Sequence, residues 1–172
     1  MRNRAIFLDR DGVLNHAPVK NGVPQAPRTI SEIEILPQVL ESIQYFKSRG
    51  FTNVVITNQP DVSRGKAPKN ILESVHNHIL AECDLVHSYI CWHDDEDRCQ
   101  CRKPEPGLIF EAAKDLEIDL GNSFLVGDRW KDINAGNKAG VKTYFIDRNY
   151  QEKSPEPPFE TIESLYDLCK RL

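Results

Sequence analysis

Short runs rich in β-branched and aromatic residues recur along this chain with helical patterns between them, and this alternation constrains its fold more than any other feature. Residues 5–8 (Ala-Ile-Phe-Leu), 51–57, 86–91, 123–127 and 142–146 have the length and composition of strands. Between them apolar residues recur at helical spacing. Leu36, Val39, Leu40, Ile43 and Phe46 form one such face, with Pro37 in the first turn and Gly50 just past the end. Ile71, Leu72, Val75, Ile79 and Leu80 follow Pro68, and Leu108, Ile109, Ala112 and Leu116 follow Pro106. A fourth helix is expected over 130–139, stopped by Gly140, and a last one from Thr161 onward, after the proline-rich residues 154–158. Strands that alternate with helices pair in parallel through crossovers, so the expected fold is α/β, a Rossmann-like doubly wound parallel sheet.

With 172 residues, the simplest organisation is one domain over 1–172 with one core. Apolar content of 40% and charged content of 28% fit a soluble globular protein, and the net charge of -4 argues against a general nucleic-acid or anionic-membrane binder. No apolar run approaches the length of a bilayer span, and Met1-Arg-Asn-Arg leads into a strand without a signal-peptide core. A cytoplasmic location with reduced thiols is therefore expected, and the protein is expected to act as a monomer. His76 and His78 lie two apart on a helix and point to different faces, which fits packing or solvation better than a shared site.

Parallel sheets bind ligands beyond the carboxyl ends of their strands, so the polar residues that follow the strands belong together. After the first come Asp9 and Asp11 in F-L-D-R-D-G-V-L-N; after the second, Thr57-Asn58-Gln59; after the fourth, G-D-R-W-K-D with Asp128 and Asp132. Lys103 stands in C-R-K-P before the third helix. An isolated D-x-D-G is most simply a turn with solvated charges. Assembled with the other loops, it gives carboxylates for Mg²⁺, a hydroxyl and an ammonium, a set suited to phosphoryl transfer through a carboxylate nucleophile.

These four motifs, in this order, resemble those of the haloacid dehalogenase superfamily of phosphatases, from Phe7 to about Ile146. The resemblance implies that Asp9 is the nucleophile and Asp11 the general acid and base. It implies that Asp9, Asp128 and the backbone carbonyl of Asp11 bind Mg²⁺, that Thr57 and Lys103 hold the phosphoryl oxygens, and that Asp132 orients the metal shell or Lys103.

Cys91, His93, Cys99 and Cys101 form C-x-H-x5-C-x-C, four ligands suited to tetrahedral Zn²⁺. A disulfide is disfavoured by a reducing compartment, and four unrelated residues by the tight spacing. Cys83 and Cys169 read as packed or surface thiols, and the acidic run 94–97 as a solvated loop tip. Because Cys101 leads directly into Arg102 and Lys103, zinc there would fix two basic residues at the phosphate site. Such a loop is similar to that of the subgroup containing D-glycero-D-manno-heptose 1,7-bisphosphate phosphatase and the histidinol-phosphatase domain, where it replaces a cap domain. Only about 45 residues separate Asn58 from Lys103, too few for a large cap.

The resemblance implies a cytoplasmic Mg²⁺-dependent phosphomonoesterase acting on a sugar phosphate, with heptose bisphosphate favoured and histidinol phosphate the alternative. A polynucleotide 3′-phosphatase and a non-catalytic zinc-containing binding module rank below these. Arg10, Asn58, Gln59, Arg64, Arg102 and Arg129 are the expected substrate contacts. The chain departs from the subgroup in having Pro60-Asp61 where Ser-Gly is common and in its short zinc loop, both near the substrate mouth.

Overall fold

The computed structural model describes residues 3–172. Six strands form one parallel sheet: β1 (Arg4–Leu8), β4 (Phe51–Asn58), β5 (His87–Cys91), β6 (Phe124–Gly127), β7 (Lys142–Ile146) and β8 (Glu160–Ile162). Their order is β5-β4-β1-β6-β7-β8, and every neighbouring pair is parallel. From β1 the chain builds outward through β4 to β5, then returns to the other side of β1 and builds outward again. The reversal of strand order opens a crevice at the carboxyl end of β1, between the loops that leave β4 and β6.

Both faces of the sheet are covered, and the strand period of two explains how. In β1, Ile6 and Leu8 face one core with Val55 and Val126, while Ala5 and Phe7 face the other with Val54, Ile56 and Leu125. The first core is closed by helices α1 (Val39–Ser48), α2 (Lys69–Glu82) and α5 (Leu165–Cys169), the second by α3 (Gly107–Asp115) and α4 (Trp130–Ala139). Ile43, Phe46 and Ile79 are fully buried, each such side chain contributing about 1.5–3 kcal/mol relative to exposure. Cys83 and Cys169 are buried in the first core.

The expected elements are present with adjusted ends. Pro37 precedes α1 rather than opening it, because Gln38 at φ 61° cannot belong to a right-handed helix. Leu40 and Ile71 lie on the solvent side of their helices, since each helix needs only one stripe for the sheet. Thr161, expected in the last helix, lies instead in β8, which pairs with β7. Only Leu165–Cys169 is helical there. A small hairpin of β2 (Val19–Lys20) and β3 (Val23–Pro24) was not expected, although Asn21-Gly22 at its tip, both at positive φ, is a strong hairpin signal. Gln151 N–H donates to the Gly22 carbonyl at 3.0 Å, and Arg28 Nε donates to Asp61 at 2.9 Å, which pins this hairpin at the edge of the crevice. No described helix is long and apolar enough to cross a membrane.

Candidate active site

The loops after β1, β4 and β6 meet Lys103 in one cleft of about 240 Å³, lined among others by Asp9, Asp11, Thr57, Lys103 and Asp132. Asp9 follows β1 directly, and its N–H donates to the Val126 carbonyl of β6 at 3.0 Å. Lys103 Nζ is buried and donates to Asp9 Oδ1 at 2.6 Å and to the Ile56 carbonyl at 2.8 Å, while lying 2.6 Å from Asp132 Oδ1. Its loop is registered against β4 by a two-way bridge: Asn58 Nδ2 donates to the Lys103 carbonyl at 3.0 Å, and Lys103 N–H to Asn58 Oδ1 at 3.1 Å.

The acid groups of Asp9, Asp128 and Asp132 lie within 4.8 Å of one another, all buried. Burial pushes the Asp9 carboxyl up, the Lys103 ammonium opposes this, and the charges of Asp132 and Asp11 add to it, leaving it at about 6. Burial, followed by the charges of Asp9 and Asp132, holds Asp128 well above the carboxylate range. Burial alone would lower Lys103, yet the Asp132 and Asp9 carboxylates raise it above the usual lysine range. The oxygens of Asp132 are committed, one to Lys103 and one to Arg129 N–H at 3.0 Å. Asp128 Oδ2 accepts from the Tyr150 hydroxyl at 2.6 Å, but its Oδ1 is buried without a hydrogen-bond partner among the described residues. An orphaned carboxylate oxygen beside two further carboxylates fits a hard divalent cation. Gly12, at φ +91°, lets the backbone press against this group, because a Cβ there would fall 1.8 Å from Asp128 Oδ2.

Asp11 faces a different set of donors. Arg10 donates through Nε at 3.1 Å and Nη2 at 2.9 Å, Asn15 Nδ2 at 3.0 Å and Gln59 Nε2 at 2.7 Å. Burial pushes its carboxyl up, but the Arg10 charge and these hydrogen bonds outweigh it and leave it below the usual range. Gln59 also donates to the Thr57 hydroxyl at 3.0 Å.

Arg10, expected as a substrate contact, is turned to Asp11 in this structure. Its side chain is 1% exposed and serves Asp11 from beneath the loop. Arg10 Nη1 also lies 3.4 Å from Nδ1 of the buried His76. A guanidinium only donates, so the imidazole proton sits on Nε2, which has no partner among the described residues. Burial, reinforced by the Arg10 charge, pushes His76 down to about 4. The unfolded chain therefore binds a proton below about pH 6.5 that the folded chain refuses until about pH 4. The His76 contribution to stability is complete above 6.5 and lost as the pH falls toward 4. His76→Gln keeps an acceptor for Arg10 and does not titrate there. Urea unfolding should show wild type losing about 2 kcal/mol more than the variant between pH 7 and 5. Equal losses would place that pH dependence elsewhere. His78, by contrast, is exposed and lies 3.0 Å from Glu82.

Cys91, His93, Cys99 and Cys101 bring their ligand atoms within 4.8 Å of one another. The separations are 3.7 Å for Cys91–Cys99, 3.6 Å for Cys91–His93 and 3.3 Å for Cys101 to each of Cys91, Cys99 and His93. A tetrahedral Zn²⁺ site with these ligand types has edges of about 3.5–3.8 Å, so the set fits that ion with small contraction.

The acidic run between these ligands is not simply a solvated tip. Asp94 accepts from Arg64 Nε at 2.7 Å and Nη2 at 2.5 Å, and Asp95 Oδ1 accepts from Arg102 Nε and Lys131 Nζ, each at 2.8 Å. Arg64, Arg102, Arg129 and Lys131 all line the cleft, and Arg129 is paired with Glu152. Lys131 lines the cleft, and Asn15 and Tyr150 donate to Asp11 and Asp128, three contacts that the motifs do not specify. The first two stand inside the motif strings, whereas Tyr150 lies in an irregular loop with no periodic signal.

A HAD-hydrolase-like family profile matches residues 100–168. D-glycero-beta-D-manno-heptose-1,7-bisphosphate 7-phosphatase of Helicobacter pylori (strain ATCC 700392 / 26695) is 36% identical, covering 98% of each chain. The enzyme of the same name from Pasteurella multocida is 32% identical over 97% of this chain and 95% of its own. The crystal structure of D,D-heptose 1,7-bisphosphate phosphatase from B. bronchiseptica, complexed with magnesium and phosphate, superposes with a TM-score of 0.82 at 28% identity, over 98% of this chain and 97% of that one. With relatives above 30% identity over nearly its whole length, this chain belongs to the D-glycero-beta-D-manno-heptose-1,7-bisphosphate 7-phosphatase family of HAD-like phosphatases.

Proposed function

We propose that this chain hydrolyses the 7-phosphate of D-glycero-D-manno-heptose 1,7-bisphosphate through a phosphorylated Asp9. The observation that carries the reading is the buried Asp9–Lys103 pair at 2.6 Å beside Asp128 with its orphaned oxygen, in a cleft ringed by cations. Asp9 attacks phosphorus as the bond to the sugar oxygen breaks. Asp11 gives its proton to that oxygen and then takes one from the water that cleaves the aspartyl phosphate. Its resting contacts favour the ionised form, which suits the second step. Arrival of a phosphate dianion favours a proton on Asp11, which suits the first.

Lys103 and the Thr57 hydroxyl offset charge on the transferring oxygens, and Asp132 holds Lys103 in place. Asp9, Asp128 and the Asp11 carbonyl would hold Mg²⁺, which when bound neutralises phosphoryl charge. Cys91, His93, Cys99 and Cys101 would hold Zn²⁺ away from the chemistry, fixing where Arg102 and Lys103 leave the loop. Asn58 and Gln59 order the loops, and Arg64, Arg102 and Arg129 are the candidates for the sugar and its second phosphate.

A panel of heptose 1,7-bisphosphate, histidinol phosphate and p-nitrophenyl phosphate, with released phosphate as readout, tests this. One equivalent released from the bisphosphate, with the highest kcat/KM on it, is expected. Preference for histidinol phosphate would overturn the sugar assignment and leave the mechanism standing.

A further inference from the structure

Arg102 and Lys131 stand on the cleft wall, and their side chains are only 9% and 16% exposed, whereas the Asp95 side chain between them is 58% exposed. Asp95 Oδ1 accepts at 2.8 Å from Arg102 Nε and at 2.8 Å from Lys131 Nζ, and Oδ2 lies 3.4 Å from Arg102 Nη2. Arg102 is anchored from behind, its Nη1 donating to the His93 carbonyl at 3.1 Å. Arg64 is engaged by Asp94, which lies 3.7 Å from Arg102 as well. Three cations thus meet two carboxylates, and the more exposed carboxylate sits between two sheltered cations. That is an anion cradle already filled by the chain's own side chain.

We propose that Asp95 is an intramolecular stand-in for the second phosphate of the substrate, and that it leaves Arg102 and Lys131 when that phosphate enters. The inference rests on the bisphosphate reading above and adds Lys131 to the residues that recognise the distal phosphate. A dianion satisfies two cations better than one carboxylate does, and Asp95 can turn to water at little cost because over half of its side chain is already there. The turn that carries it does not depend on its side chain, since the capping interactions come from Asp94 and Asp97. A substrate whose second half is uncharged leaves Asp95 in place and gains nothing from the cradle. Asp95 therefore lowers affinity for every ligand that must displace it, while keeping two sheltered cations compensated between turnovers.

The alternative role for Asp95 is to position Arg102 and Lys131, and the two roles have opposite signs. The test compares kcat/KM on heptose 1,7-bisphosphate with kcat/KM on p-nitrophenyl phosphate, taken as a ratio, in wild type, Asp95→Asn and Lys131→Gln. Zinc content and unfolding midpoint are measured alongside. Asp95→Asn should raise the ratio about three- to tenfold, chiefly through a lower KM for the bisphosphate, and Lys131→Gln should lower it by a similar factor. A ratio that is unchanged or lowered in Asp95→Asn overturns the stand-in role. An unchanged ratio in Lys131→Gln removes Lys131 from the cradle. Wild-type protein that releases no phosphate from the bisphosphate overturns the substrate reading and this inference together, and is thereby distinguished from failure of the inference alone.

Discussion

Asp9→Asn is expected to abolish phosphate release, lowering kcat by about 10³-fold or more, while the protein stays folded. The amide is close in size to the carboxylate, so the packing beneath β1 is kept. What disappears is the proposed nucleophile, one of three carboxylates crowded within 4.8 Å. Lys103 retains Asp132 and the Ile56 carbonyl, so its charge is not stranded, and Asp128, held well above its usual range chiefly by burial, loses the added repulsion of the Asp9 charge. The unfolding midpoint should therefore be unchanged or slightly raised, a combination that separates loss of chemistry from loss of structure. Acid quenching during turnover should trap a phosphorylated protein for wild type and none for the variant. Residual turnover near wild type, or a phosphoenzyme that survives the substitution, would remove Asp9 from the nucleophile's role.

The sheet and the convergence of its loops were legible because strands alternate with helices, and parallel strands send their following loops to one edge. Asp9, Thr57 and Asp128 needed only that rule to be brought together, and the Cys/His spacing was readable within a single loop. Partner choice was not readable, because it depends on side-chain direction after folding. Arg10 and Arg102 both stand in motif strings beside site residues. Arg10 turns under its loop to hold Asp11, whereas Arg102 stays on the cleft wall and meets Asp95. Asp94 and Asp95 looked like a solvated tip because spacing alone does not say which cations reach them. Arg64 and Lys131 lie 30 and 36 residues away, and Arg102, seven residues from Asp95, meets it only because the loop folds back. β8 was missed because residues 160–162 are few and mixed in character, and only the unpaired edge of β7 makes them a strand.

Cys99→Ser is expected to abolish metal binding by the Cys91, His93, Cys99 and Cys101 cluster and to lower stability and activity together, although none of these four residues is proposed to react with phosphate. Protein purified without added zinc should carry one zinc per chain, and the variant much less, by elemental analysis. The four ligand groups lie at near-tetrahedral separations, and burial pushes the Cys91 thiol up, so without a metal it stays a neutral thiol in a polar cluster. A divalent cation held by these four groups would displace thiol protons and tie the end of β5 to the start of α3. Its loss should cost about 3 kcal/mol, or about 6–12 °C in unfolding midpoint for a chain of this size. Activity should fall because Arg102 and Lys103 follow Cys101 directly. Lys103 has its own anchors in Asp9, Asp132 and Asn58, whereas Arg102 leans on the His93 carbonyl inside the loop. The loss should therefore be larger on the bisphosphate than on a small monoester, appearing mainly in KM. Zinc-free protein with wild-type midpoint and wild-type kcat/KM on both substrates would show that the cluster is not a structural metal site.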